Sequence, residues 1–139
     1  MKIKLFAVGK LKARFARIAA DEYRSRIVHY VPFEVVEVKE GAIVQNLSES
    51  YFNVLLDQRG KMFTSEQFAQ FINEKLVHYR KDIAFFIGGA DGFSDIERKK
   101  ADFLLSLSKM TLPHELARVF LLEQLYRAFT IIRGEKYHK

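Results

Sequence analysis

Five apolar residues in succession, Ile83-Ala84-Phe85-Phe86-Ile87, run directly into Gly88-Gly89-Ala90-Asp91-Gly92. A strand with no polar face must be covered on both sides, which is the position of a central strand in a parallel sheet. Parallel neighbours cannot be joined by a tight hairpin; they need crossover connections, usually helices. This one segment therefore predicts a layered α/β domain. The glycine turn at its end falls where such sheets bind ligands, beyond the carboxyl ends of the strands.

The rest of the chain supplies the partners. Residues 2–8 alternate and stop at Gly9, giving a first strand. Phe15, Ile18, Ala19, Tyr23 and Ile27 recur at helical spacing over 14–30, ahead of Pro32. Phe33 to Val38 is β-branched and aromatic, a second strand, whereas 39–50 has no sustained period and reads as a loop with at most one helical turn. Tyr51 to Leu56 is a third strand, turned by Asp57-Gln58-Arg59-Gly60. Thr64 with Gln67 and Ser94 with Glu97 have capping-box spacing and open two further helices. A short strand follows around Leu104 to Leu107, and Pro113 suits the first turn of a long final helix. Strand and helix alternate throughout, as in an α/β fold with a mostly parallel sheet. At 139 residues the chain fits one domain over 1–139.

Composition narrows the chemistry. The chain has no cysteine, which removes disulfides, thiolate metal sites and cysteine nucleophiles and fits a reducing cytoplasm. No apolar run approaches the roughly 20 residues that cross a bilayer, so no membrane span is expected. His29, His78, His114 and His138 show no metal-ligand spacing, and no metal is expected. A net charge of +6 and a pI of about 9.5 suit a nucleic-acid partner, although a solvated basic surface gives the same balance.

Three turns meet the rule for ligand sites: Leu56 to Gly60, Gly88 to Gly92, and Leu107 to Leu112. Glycine in the second lets backbone approach a ligand, but it lacks the dinucleotide spacing and no P-loop Gly-Lys-Ser or Gly-Lys-Thr follows. In the final helix, Val119, Phe120, Leu121, Leu122, Leu125, Tyr126, Ala128, Phe129, Ile131 and Ile132 cover more than one stripe. One buried face cannot hide them all, and a second copy of the chain is the simplest cover. Glu115 and Glu123 are either surface charges or partners of Arg118 and Arg127 at helical spacing. The last four residues follow all three turns and the apolar helix, so they are expected to support neither pocket nor core.

The order of these pieces, from Met1-Lys2-Ile3-Lys4-Leu5-Phe6-Ala7-Val8-Gly9-Lys10 through Gly88-Gly89-Ala90-Asp91-Gly92 and Ser106-Leu107-Ser108-Lys109-Met110-Thr111-Leu112-Pro113-His114-Glu115 to Tyr137-His138-Lys139, resembles the SPOUT methyltransferases. It is most similar to the small single-domain members that methylate N3 of a pseudouridine in large-subunit ribosomal RNA. The resemblance implies a C-terminal deep trefoil knot, which connection rules alone would not predict. It also implies S-adenosyl-L-methionine held by Leu56, by Gly88 and Gly89, and by Leu107, Ser108, Lys109, Met110, Thr111 and Leu112. The implied substrate is 23S rRNA within the ribosome, worked on by a cytoplasmic homodimer. Removing the N3 proton needs a base or a polarising hydrogen bond, for which Tyr137, His138 and Arg133 are the catalytic candidates, with Lys139 on RNA. A non-catalytic RNA-binding or assembly module with the same fold is the alternative. Two departures stand out: 39–50 leaves little room for the helix the family usually carries there, and no proline precedes Tyr137.

Overall fold

The computed structural model describes residues 1–138. Five strands form one all-parallel sheet in the order β2-β1-β4-β3-β5: β1 (Ile3–Val8), β2 (Phe33–Val38), β3 (Tyr51–Met62), β4 (Asp82–Ile87) and β5 (Phe103–Ser106). β4 is central, with Phe85 opposite Leu5 on one side and Val54 on the other. The apolar run divides between two layers, as the two-residue period of a strand requires. Ile83, Phe85 and Ile87 join Ile3, Leu5 and Val54 in the larger core, packed against helices. Ala84 and Phe86 join Phe6, Leu55, Ile43 and Phe93 in a thinner layer on the other face, where Phe6 and Phe86 stack at 4.9 Å.

Three helices cover the thicker face: α1 (Arg14–Ile27), α2 (Ser65–Asn73) and α4 (His114–Ile132). The short α3 (Asp95–Lys100) precedes β5. Both capping boxes form. Gln67 N–H donates to Thr64 Oγ1 at 3.1 Å and Thr64 N–H to Gln67 Oε1 at 2.9 Å, and Ser94 and Glu97 exchange the same pair. α1 has no side-chain cap at Ala13. The two N–H groups that lead into it are bound from far along the chain, where Glu115 Oε1 accepts from Lys12 N and Ala13 N at 2.8 and 2.9 Å. These bonds hold the Glu115 carboxyl below its usual range.

The segment 39–50 holds a single 3₁₀ turn, Val44–Asn46. Other boundaries move. α1 stops at Ile27, short of residue 30, and β5 lies one residue earlier than 104–107. Pro113 sits just before the final helix, as its N-cap, and α2 runs on into one π-helical turn, Glu74–His78. The larger correction concerns Asp57-Gln58-Arg59-Gly60. β3 continues past these residues to Met62, and they form an irregularity after which Lys61 again lies opposite Leu105, as Leu56 does. Gly60 is there because backbone passes against it: a Cβ would overlap the Leu104 carbonyl and the Leu105 nitrogen. A residue with turn composition is in fact a close-approach residue.

Candidate active site

The three turns all sit at the carboxyl edge of the sheet, but they do not converge on one opening. The first and third do. Leu56, Asp57, Leu107, Ser108, Met110 and Leu112 line a cavity of about 110 Å³ whose floor is Leu105 and Ser106 and whose wall includes Ala117 of α4. Gln58 Nε2 donates to Thr111 Oγ1 at 3.0 Å and ties the two turns together. Within the third, Ser106 Oγ donates to the Ser108 carbonyl and Met110 N–H to Ser108 Oγ, each at 3.0 Å. Lys109 and Thr111 are exposed and do not line the cavity.

The first turn is anchored from behind. Asp57 Oδ2 accepts from Arg98 Nε of α3 at 2.7 Å, and Oδ1 from the Arg59 backbone N–H at 2.8 Å. Burial alone would raise the Asp57 carboxyl, but the guanidinium and the N–H outweigh it and hold it below the usual range. A buried carboxylate is thereby fixed beside the opening.

The glycine turn lines a separate cavity of about 430 Å³ with Val8, Glu40, Ile43 and Phe93. It is closed by a hydrogen bond from Gly92 N–H to the Gly89 carbonyl at 3.0 Å, and Gly92 takes φ +71°. The Glu40 carboxylate occupies the space that a Cβ on Gly89 would enter. Gly88 and Gly89 are therefore brought to the right edge but not into the cavity of Leu56 and Leu107–Leu112. Pockets for organic ligands commonly hold about 300–1,000 Å³. The smaller cavity must open or merge with its neighbours to take a nucleoside-sized group.

The tail is docked, contrary to the expectation that it supports no packing. Tyr137 is half-buried, its ring edge-on to Tyr126 at 4.6 Å and its hydroxyl donating to Glu123 Oε2 at 2.7 Å. Burial first, then Glu123 and Tyr23, push the phenol strongly up, so Tyr137 stays protonated and serves as a donor. His138 bridges two elements, with Nδ1 3.2 Å from Arg127 Nη1 and Nε2 2.7 Å from Glu66 Oε1. Arginine can only donate, so Nδ1 accepts and Nε2 carries the hydrogen given to Glu66. Arg133 lies apart, over the Tyr30 ring at 5.0 Å. Lys139 lies outside the described residues. His114 is exposed and lines none of these openings.

Glu123 pairs with Arg127 at 2.8 Å, one of the two expected partnerships. The other does not form. Arg118 Nη1 donates to Glu37 Oε2 at 2.7 Å and Nη2 to the Gly9 carbonyl at 3.0 Å. The only local signal for this was a guanidinium placed within an apolar helix. On α4, Leu121, Leu122, Leu125, Ala128 and Phe129 are buried, while Leu116 and Phe120 stay 41% and 39% exposed. With Tyr23, Leu112 and Val119 these two line an apolar recess of about 350 Å³. No helix among the described residues is long and apolar enough to cross a membrane.

A parallel α/β sheet whose carboxyl-edge turns surround small openings, closed by a long final helix, defines a class that comparison identifies. A family model described as predicted SPOUT methyltransferase matches residues 1–138, and the chain belongs to that family. Membership makes it a methyltransferase that draws its methyl group from S-adenosyl-L-methionine. Among individual relatives, the ribosomal RNA large subunit methyltransferase H of Coprothermobacter proteolyticus is 48% identical over 139 residues, with all of both chains covered. Its namesake in Carboxydothermus hydrogenoformans is 42% identical over 159 aligned positions, again covering both chains fully. Those 159 positions exceed this chain's 139, so 20 have no counterpart here. The fold is shared with a probable methylase family protein from Haemophilus influenzae, at TM-score 0.65, 14% identity and coverage of 99% of this chain and 70% of that one. TrmJ from Z. mobilis matches at TM-score 0.59 and 11% identity, covering 94% and 70%.

Proposed function

We propose that this chain methylates N3 of a pseudouridine in 23S rRNA, on the assembled ribosome, as a homodimer. The observation that carries the reading is its end-to-end 48% identity to a relative named ribosomal RNA large subunit methyltransferase H. Leu56 and the Leu107–Leu112 turn hold the methyl donor, with Gly88 and Gly89 at the adjoining opening. The mixture of leucine side chains, serine hydroxyls and turn backbone there suits an adenosine and a sulfonium. Bound S-adenosyl-L-methionine supplies an electrophilic methyl group. What the protein adds is alignment of donor and acceptor, worth up to roughly 7–11 kcal/mol when both are held.

At the acceptor, N3 must lose its proton. The Tyr137 phenol is kept protonated by burial and Glu123, and it donates its one hydrogen to orient the base once Glu123 gives it up. His138 takes the proton once its Nδ1 is released from Arg127, with Arg133 and Lys139 on phosphate. The apolar recess of Leu116, Val119 and Phe120 is covered by the same face of a second copy, which sets each tail beside the partner's donor pocket. A deep trefoil knot in the C-terminal half belongs to the same reading.

Calorimetric titration with S-adenosyl-L-methionine, followed by labelled methyl transfer to ribosomes and mapping of the modified base, tests the proposal. Saturable binding with transfer to one pseudouridine is expected. RNA binding without cofactor binding would instead make the chain a non-catalytic module, and a monomer mass by light scattering would overturn the shared site.

A further inference from the structure

The largest cavity described, about 450 Å³, lies between α1, the start of α4 and the ends of β1 and β2. None of the groups assigned so far uses it. Four cations, Lys10, Arg17, Arg24 and Arg118, line it against two carboxylates, Asp21 and Glu37. Arg118 is the fixed member. It is 4% exposed and clamped by Glu37 and the Gly9 carbonyl, which together use Nη1 and Nη2. Among the described residues, Lys10, Arg17 and Arg24 form no ion pair, so the cavity holds more positive charge than it neutralises.

The sequence sharpens the imbalance. Lys2, Lys4, Lys10, Lys12, Arg14 and Arg17 all precede the first acidic residue, Asp21. Arg14 and Arg17 sit in the opening turns of α1, where the helix dipole disfavours cations and the helix's own first turn holds no acidic residue. An arrangement that costs stability in the free protein is relieved when an anion enters. Guanidinium groups suit phosphate oxygens in particular, because their forked donors match them in pairs.

Position selects the anion's source. Ala117 lines the donor-turn cavity and Arg118, the next residue of α4, lines this one, so the two openings flank one helical turn. The first opens beside β3 and β5 and the second beside β1 and β2, so an RNA strand of a few nucleotides laid across this turn of α4 can engage both. We infer that this cavity binds a phosphodiester of the RNA substrate and sets the register in which the target base meets the methyl donor; the inference rests on the RNA methyltransferase reading above.

The test compares Arg17→Gln/Arg24→Gln with Lys99→Gln/Lys100→Gln, an equal loss of charge on the exposed side of α3. Both are titrated with a labelled large-subunit rRNA fragment over a range of salt. The cavity variant should lose at least about tenfold in affinity, and its log K against log salt slope should be shallower by roughly 1.4–1.8 for two lost phosphate contacts. The α3 variant should stay within about twofold, and Asp21→Asn should tighten binding. Cofactor affinity should be preserved and the melting temperature should not fall in any of the three, which separates this result from misfolding. Equal losses in the cavity and α3 variants would reduce the effect to net charge and overturn the site. So would thermal protection by inorganic phosphate that the cavity variant loses while its RNA affinity is unchanged, since that marks a small-anion site. If wild type itself binds neither rRNA nor S-adenosyl-L-methionine, the proposed function has failed; if wild type transfers methyl and the cavity variant matches it, only the cavity assignment has.

Discussion

At the carboxyl edge, the turns around Leu56 and Ser108 surround an opening with only a few side-chain hydrogen bonds. At the far end of α4, Tyr137 and His138 have their polar side-chain atoms engaged, by Glu123, Arg127 and Glu66. Both regions carry residues proposed for one reaction, yet one is open and the other closed. The open end can accept a ligand by modest widening, whereas the tail must exchange its present partners before it touches a substrate. If the tail carries the proposed chemistry, the arrangement seen here is a resting one, which dimerisation or RNA binding would have to release.

Deleting residues 136–139 should have the largest effect. Methyl transfer to ribosomes should fall by about 100-fold or more, the low end of what positioned acid–base groups contribute. Cofactor affinity by calorimetry should stay within about threefold. The melting temperature should also drop, because Tyr137 packs on Tyr126. Full activity in the deleted protein would place the chemistry elsewhere. Gly89→Leu acts on the other region. Its side chain would enter space now held by the Glu40 carboxylate, and loss of at least about tenfold in cofactor affinity, near 1.4 kcal/mol, is expected from a folded variant. Unchanged affinity would detach the glycine turn from the donor site, which its separate cavity makes a real outcome.

Asp57→Asn probes what holds the open end in place. The carboxyl lies below its usual range when folded, so it stabilises the native state above the ordinary carboxylate range, and that contribution is lost as pH falls through the lowered value. The variant should be about 1 kcal/mol less stable at pH 7, because water reaches the pair at Arg98, and the difference should shrink in acid. Urea denaturation at two pH values measures both. Smallest is Glu66→Gln, which weakens one exposed anchor of His138. Its melting temperature should be unchanged, while the tail should become more sensitive to carboxypeptidase. Equal protection would show that Tyr137 alone holds the tail.

What the sequence disclosed was local or periodic. An apolar run with no polar face announced the central strand, and Thr64–Gln67 and Ser94–Glu97 announced two helix starts, because each signal lies within a few residues. Gly60 misled for the opposite reason. Its neighbours have turn composition, and the backbone that demands a glycine there belongs to Leu104 and Leu105, over forty residues later. At the site, the grouping of Leu56 with Leu107–Leu112 follows from family likeness and strand ends. The Asp57–Arg98 anchor, the Arg118–Glu37 clamp and the separate opening of the glycine turn depend on which strands become neighbours, and no period encodes that.

The carboxylate that closes the start of α1 has a consequence for how the chain is made. Glu115 is 102 residues beyond Ala13, the group it caps. β1 likewise waits for β4 before its central edge is paired. At roughly 5–20 residues per second, an emerging chain carries an unfinished first helix and an open strand edge for on the order of 5–20 s. During that interval Leu5 and Phe6 lack the β4 residues beside which they are later buried, and unpaired strand edges are what intermolecular association exploits. Synthesis rate and chaperone supply, more than the equilibrium stability of the finished sheet, should therefore set how much active protein a cell recovers.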